Sequence, residues 1–228
     1  MALELGEVCR RIRDDGALTV ILTGRGQVFS SGREKLPASR RADTAVTPAE
    51  WLQLHRASAA LAALEIPLIA AINGDALDHG LELALACDLR VAARGTRLGF
   101  TDISRGIVPW DGGTQRLPRL VGRTHALEML LTSRVIEAQQ ALGWGRVNEV
   151  VEPGDLRTRT QELALEIASG APIAARYAKE TVLKGMDMTL EQGLGLEADL
   201  NVILQSTCDR TEGLRSFFEK RDTHFRGE

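Results

Sequence analysis

The most informative part of the chain is residues 72–88, which read Ile72-Asn73-Gly74-Asp75-Ala76-Leu77-Asp78-His79-Gly80-Leu81-Glu82-Leu83-Ala84-Leu85-Ala86-Cys87-Asp88. An apolar run from Pro67 to Ile72 predicts a strand, and small and polar residues then lead into a helix that carries Glu82 near its start. A carboxylate in an apolar setting near a helix N-terminus can have a raised pKa and transfer protons near neutral pH. The N–H groups of the turn can stabilise a developing oxyanion. Glu82 is therefore a candidate catalytic acid or base, although an ordinary solvated glutamate in a first turn would fit the same local pattern.

The composition is that of a globular protein. The chain has 228 residues, 44% of them hydrophobic, which is enough for one full core with a helical appendage. Its 28 Lys and Arg residues and 31 Asp and Glu residues give a net charge of −3, without the basic patch that nucleic-acid binding requires. We find neither a signal-peptide pattern nor an apolar run as long as a membrane span. We therefore expect a cytoplasmic protein that binds neither nucleic acid nor membrane.

The metal-binding residue types are scattered along the chain. No cluster of Cys, His and carboxylate residues has the spacing of metal ligands, and no Cys-x-x-Cys pattern occurs. The three widely spaced cysteines are Cys9, Cys87 and Cys208. We expect reduced thiols and no metal site.

The order of predicted elements indicates an α/β core followed by helices. A helix is predicted from Thr47 to about Leu64, because Thr47 can cap it and Pro48 suits its first position. A helical pair is predicted over roughly 114–132, and only helices are predicted after Asp155. The other predicted elements are a helix over 2–13, strands over 18–22, 28–29, 68–72, 89–93 and 147–151, short strands near Leu98 and Ile103, and helices over 80–86 and 137–143. Strands interleaved with helices, then helices alone, suggest an α/β core with a helical C-terminal region.

Three segments together resemble the enoyl-CoA hydratase/isomerase (crotonase) superfamily. They are Thr23-Gly24-Arg25-Gly26-Gln27-Val28-Phe29-Ser30-Ser31-Gly32, the block Asn73–Asp88, and Gly106-Ile107-Val108-Pro109 continued by Gly112-Gly113-Thr114-Gln115-Arg116-Leu117-Pro118-Arg119-Leu120-Val121-Gly122. The resemblance extends over essentially the whole chain. It implies a ClpP/crotonase fold of repeated ββα units, with residues 1–152 as the α/β core and residues 153–228 as helices that build homotrimers or hexamers. It also implies that the family's N-terminal hairpin is missing here.

The resemblance implies a site for acyl-CoA thioesters, with coenzyme A as part of the substrate and no permanently bound cofactor. The backbone N–H groups of Arg33 and His79 would hold the thioester oxygen. Glu82 and Asp102 would activate a water molecule that adds to a 2-enoyl-CoA, although Asp102 could also be a residue that caps a turn. Phe217 and Lys220 match positions near the CoA, but Lys220 could also be a solvated charge at the end of a helix.

Two departures from the family pattern leave the reaction open. The turn before Glu82 is Asp78-His79-Gly80, where the family usually has three glycines. The side chain of His79 could act as an acid or base, or its N–H alone could act. Asp111 adds a further carboxylate, at a place that resembles the β-diketone hydrolase branch, or it is an ordinary turn residue. The alternatives to hydration are therefore an isomerase or C–C bond hydrolase that uses Asp111, and an acyl-CoA-binding homologue without activity.

Overall fold

We describe the protein from a computed structural model, which covers residues 2–32 and 47–228, apart from the side chains of Arg13 and Pro48. The chain divides into two compact units. The first comprises Met1–Gly16, Ile21–Leu64 and Leu68–Thr160, and the second comprises Ala17–Val20, Glu65–Pro67 and Gln161–Glu228. The predicted boundary between residues 152 and 153 stays a prediction.

Helices and strands are interleaved up to residue 151, and helices follow. In chain order the described elements are α1 (Ala2–Asp14), β1 (Val20–Thr23), α2 (Pro48–Leu54), α3 (Ala57–Ala62), β2 (Leu68–Ile72), β3 (Ala76–Leu77), α4 (His79–Ala86), β4 (Leu89–Ala93), β5 (Arg97–Gly99), a 3-10 helix (Asp102–Arg105), α5 (Gly113–Thr132), β6 (Val135–Glu137), α6 (Ala138–Gly143), β7 (Glu149–Val151), α7 (Leu156–Ala168), α8 (Pro172–Gly185), α9 (Leu190–Leu204) and α10 (Cys208–Glu219).

Two sheets organise the strands. The larger has the order β1-β2-β4-β7, and β4 pairs in parallel with both β2 and β7. The smaller has the order β3-β5-β6, with β3 parallel and β6 antiparallel to β5. All five residues of β2 are buried, as expected of an apolar strand inside a parallel sheet.

Helix α4 leads away from the smaller sheet and is buried along its whole length. It follows β3 after the single residue Asp78, and all eight of its residues are buried. At Gly80 the backbone lies so close to residue 30 that an added Cβ would stand 2.3 Å from the carbonyl oxygen of Ser30. Only glycine permits this approach, so the first turn of α4 is held against Ser30.

Four predicted elements are corrected or refined by the structure. The predicted strand over 28–29 is wrong, because the pairing there is reduced to an isolated parallel bridge between Ser30 and Ala76. Thr47 and Glu50 form the expected capping box, but the predicted helix over 47–64 is interrupted because Arg56 has non-helical angles (φ −81°, ψ 78°). The predicted strand near Ile103 is wrong. That segment is a 3-10 helix, because the Asp78 carboxylate accepts the N–H groups of Thr101 and Asp102 and draws the chain into a turn. The helical pair over 114–132 is confirmed, with its break at Gly122 (φ 75°, ψ 164°).

The second unit presents many apolar side chains to solvent. Its C-terminal residues are fixed to the start of α10, because the carboxylate of Asp209 accepts the N–H groups of Arg226 and Gly227 at 2.7 and 2.8 Å. The large exposed hydrophobic residues of α8 to α10 are Val182, Leu183, Leu190, Leu194, Val202, Ile203, Leu214, Phe217 and Phe218. Exposed apolar surface of this extent is typical of an association face.

The first unit contains two buried arginines, which differ in how completely their N–H groups are hydrogen-bonded. Arg90 donates from Nε to the carbonyl oxygen of Arg146 at 2.5 Å and from Nη1 to that of Cys87 at 2.6 Å. Arg146 donates from Nη1 to the sulfur of Met129, but its Nε and Nη2 have no hydrogen-bond partner among the described residues. Burial, followed by the charge of Arg90, lowers the pKa of Arg146 to about 9. Arg146 is therefore an incompletely compensated buried cation.

We expect Arg146→Met to raise the free energy of unfolding by about 1–2 kcal/mol, because an apolar side chain of similar length removes the desolvation cost of the charge. Urea unfolding followed by circular dichroism measures the change. Arg90→Met is the matched control, and it should lower stability because it leaves two buried carbonyl groups unpaired. A destabilised Arg146→Met variant would contradict this explanation.

Candidate active site

Glu82 lies in the first turn of α4 with its side chain almost completely buried. Its Oε1 accepts the backbone N–H of Asp111 at 2.7 Å and that of Gly113, the first residue of α5, at 3.0 Å. Burial raises the pKa of Glu82, and the two hydrogen bonds oppose the rise only in part. The result is a carboxyl that holds its proton more tightly than an ordinary glutamate, which suits a group that exchanges protons near neutral pH.

Asp111 meets the side chain of His79 in the same buried region. One carboxylate oxygen, Oδ2, lies 3.0 Å from Nε2 of His79 and accepts the N–H of Ser58 at 2.8 Å. Burial alone would raise the pKa of Asp111, but the hydrogen bonds from His79 and Ser58 outweigh it and the pKa lies below its ordinary value. Asp111 is thus a buried carboxylate that stays charged.

Arginine side chains surround the backbone and carboxylate of Asp111. Nη1 of Arg116 donates to the carbonyl oxygen of Asp111 at 2.9 Å and to the hydroxyl of Ser58 at 3.0 Å. The Ser58 hydroxyl also donates to that carbonyl. Nε of Arg56 lies 3.7 Å from Oδ1 of Asp111. These contacts hold both the backbone and the side chain of Asp111, in the loop before α5.

Asp78 holds the turn that begins α4. It has a positive φ of 50°, which is uncommon for a residue with a Cβ. Its carboxylate accepts the N–H groups of Thr101 and Asp102 at 2.5 and 2.8 Å and the Thr101 hydroxyl at 2.7 Å. The next residue, His79, is the first of α4, so its N–H has no acceptor within the helix and is available to an oxyanion.

The structure brings three of the predicted residues together, namely His79, Glu82 and Asp111. It places the Asp102 carboxylate, which is partly exposed, in an ion pair with Arg105. Arg33 lies outside the described residues. Phe217 and Lys220 lie at the end of α10 in the second unit, where Lys220 is the C-cap with φ 52°. A role for Asp102, Arg33, Phe217 or Lys220 stays a prediction.

Sequence reasoning missed the residues that support Asp111. Ser58 is 53 positions away from Asp111 along the chain, and it contacts the carboxylate through its backbone N–H, which carries no residue-specific signal. In the sequence, Arg116 stands out only as part of the third family segment. Asp78 stands out only as a departure from glycine, because residue spacing does not show its hydrogen bonds to Thr101 and Asp102.

Fold and site together define a class of α/β protein that is suited to proton transfer beside a carbonyl group. A buried carboxylate lies in the first turn of a helix, and the backbone N–H at the start of that helix has no acceptor within it. Within the described ranges no group of three or more Cys, His, Asp or Glu residues could hold a metal ion. No helix in the same ranges has the length and apolar character needed to cross a membrane.

Comparison with known proteins identifies the family. A family profile described as "Enoyl-CoA hydratase/isomerase" matches residues 1–228. The chain is 36% identical over 96% of its length to the short-chain-enoyl-CoA hydratase of Clostridium acetobutylicum, of which it covers 84%. It is 37% identical over 98% of its length to the crotonyl-CoA hydratase of Syntrophomonas wolfei, of which it covers 86%. The crystal structure of an enoyl-CoA hydratase from Bacillus anthracis matches at a TM-score of 0.90 and 39% identity, over 100% of this chain and 88% of that one.

The chain belongs to the enoyl-CoA hydratase/isomerase family. The predicted crotonase fold, and the membership inferred from the three sequence segments, are confirmed.

We expect Asp78→Ala to lower the free energy of unfolding by about 2–4 kcal/mol, because it removes three hydrogen bonds and leaves a Cβ residue at positive φ. Thermal unfolding measures the loss. Asp78→Asn should cost clearly less, since asparagine tolerates positive φ and its oxygen can still accept from 101 and 102. Equal losses in the two variants would show that these hydrogen bonds do not hold the turn.

Proposed function

We propose that the protein adds water to the double bond of a 2-enoyl-CoA thioester. The observation that carries the proposal is the buried Glu82, whose pKa is raised by burial and whose Oε1 is fixed by the N–H groups of Asp111 and Gly113. Two relatives of more than 35% identity, named as short-chain-enoyl-CoA and crotonyl-CoA hydratases, support it. Coenzyme A enters as part of the substrate, and no permanently bound cofactor takes part.

The proposed reaction begins at the start of α4. The N–H of His79, with that of Arg33 as its partner, holds the thioester oxygen, so that negative charge can develop there. Glu82 takes a proton from water while the water oxygen bonds to the β-carbon and the π electrons move into the enolate. A proton then returns to the α-carbon, and the C–S bond stays intact. Asp102 is proposed as the second acid that orients this water.

A second candidate reaction uses Asp111. The distance of 3.0 Å between its Oδ2 and Nε2 of His79, both buried, favours it, because a fixed carboxylate–imidazole pair can accept and return a proton. Double-bond isomerisation needs such a pair to move one proton along the acyl chain. Hydrolysis of a C–C bond needs it to activate water.

The assembly and cellular setting belong to the same proposal. We propose a homotrimer, or a hexamer of two trimers, that associates through residues 153–228, and the exposed apolar side chains of α8 to α10 support this. Phe217 and Lys220 are proposed to contact the CoA. A cytoplasmic location agrees with the reduced state of Cys9, Cys87 and Cys208.

The test follows the loss of conjugated-enoyl absorbance when the purified protein meets crotonyl-CoA. We expect Glu82→Gln to lower kcat by about 10²–10⁴-fold, because glutamine can accept both hydrogen bonds at one oxygen but cannot take a proton. The fold should survive for the same reason, and its melting temperature serves as the control.

Asp102→Asn and Asp111→Asn separate the two reactions. Hydration predicts that Asp102→Asn lowers turnover of crotonyl-CoA as strongly as Glu82→Gln, with a milder effect of Asp111→Asn. The reverse order would support the Asp111 reaction. A wild-type oligomer that is intact and binds crotonyl-CoA, but shows no turnover in hydration, isomerisation or hydrolysis assays, would identify a homologue without activity.

A further inference from the structure

Three aromatic side chains form a cluster beside the buried acids. The rings of Trp51 and His55 are stacked, with centroids 4.1 Å apart and planes inclined by 19°. The ring of Trp110 lies 5.9 Å from that of Trp51 at 49°. Nδ1 of His55 lies 2.8 Å from the carbonyl oxygen of Trp51, which fixes the imidazole plane. All three residues are partly buried, and we call them the aromatic cluster.

The cluster is tied to the site from both sides. Trp110 directly precedes Asp111, whose N–H donates to Oε1 of Glu82 at 2.7 Å, so standard bond lengths place the Trp110 Cα within about 5 Å of that oxygen. On the other side, His55 is three residues before Ser58, whose N–H binds the Asp111 carboxylate. The Glu82 carboxylate thus holds the loop that carries Trp110, and the Asp111 carboxylate in that loop holds the segment that follows Trp51 and His55.

The hydration reaction determines which part of the substrate lies near the aromatic cluster. The carboxylate that activates water must lie next to the β-carbon of the substrate, so any group attached to the β-carbon begins close to Glu82. The backbone of Trp110 occupies that neighbourhood. Aromatic rings attract one another in offset or tilted arrangements, at centroid distances like those within this cluster. An alkyl substituent does not gain this additional interaction energy.

We propose that the protein prefers a 3-aryl-2-enoyl-CoA, with the aryl group held by Trp110 and Trp51. This inference rests on the proposed function for the position of the β-carbon. The probes are cinnamoyl-CoA, which carries a phenyl ring on the β-carbon, and crotonyl-CoA, which carries a methyl group there.

The decisive measurement is binding, which does not depend on turnover. Calorimetric titration of Glu82→Gln with each thioester gives the ratio of the two dissociation constants without consuming the ligand. We expect cinnamoyl-CoA to bind about tenfold more tightly than crotonyl-CoA. Trp110→Leu, made in the same background, should bring the ratio close to one by weakening the binding of cinnamoyl-CoA more than that of crotonyl-CoA.

Trp144→Leu is the matched control. Trp144 also stacks on a histidine, with its ring 3.9 Å from that of His125, but it lies outside the aromatic cluster. This variant should keep the full preference for cinnamoyl-CoA. Trp51→Leu, in the short helix α2, provides the test if Trp110→Leu does not fold, and it should also reduce the preference.

The outcomes separate the two proposals. A ratio of dissociation constants near one for the two thioesters, in the protein with all three tryptophans, would overturn the aryl proposal. A preference for cinnamoyl-CoA that both Trp110→Leu and Trp51→Leu leave intact would overturn it too. Failure of the hydratase proposal would appear as absent turnover of both thioesters by the unmodified protein, with the binding preference unaffected.

Discussion

The structure depends on one buried interaction, in which a single oxygen of Glu82 accepts the backbone N–H groups of Asp111 and Gly113. The interaction joins the start of α4 to the start of α5 across about thirty residues of sequence. Since backbone N–H groups buried without an acceptor are costly, the loop before α5 has to follow the carboxylate. This interaction holds the backbone of the loop at Asp111, directly after Trp110, and Ser58 and His79 then hold the Asp111 side chain.

Two buried carboxyl groups in this small region have opposite electrostatic environments. Burial raises the pKa of Glu82, and the N–H groups of Gly113 and Asp111 offset the lost hydration only in part. Asp111 is buried too, but the imidazole of His79 and the N–H of Ser58 lower its pKa. Carboxyl groups with divergent pKa values commonly divide a reaction between them. The environment therefore suits Glu82 to carry the proton and Asp111 to remain a fixed charge.

The part of the site that could be predicted is the part encoded locally. Glu82 and the N–H of His79 belong to one continuous strand–turn–helix segment, so their relation follows from the helical geometry. The capping box of α2 was predictable for the same reason. The interruption of that helical region at Arg56 was not, because no glycine or proline marks it.

Contacts between distant segments account for what sequence reasoning missed. The backbone N–H of Ser58 meets the Asp111 carboxylate, which lies 53 positions further along the chain. The carboxylate of Asp78 accepts the N–H groups of Thr101 and Asp102, and a 3-10 helix over Asp102–Arg105 begins there in place of the predicted strand. Asp102 illustrates what the resemblance alone leaves open. The resemblance implies a second acid at this position, the structure shows its carboxylate in an ion pair with Arg105, and its catalytic role stays a prediction.

The central claim is that Glu82 holds a proton more tightly than an ordinary glutamate. Infrared difference spectroscopy between the wild-type protein and Glu82→Gln measures this directly, because the C=O stretch of a protonated carboxyl group is resolved from that of a carboxylate. We predict one carboxyl band that disappears with rising pH at a midpoint above the ordinary value of 4.5. A difference band that titrates at or below 4.5 would contradict the account.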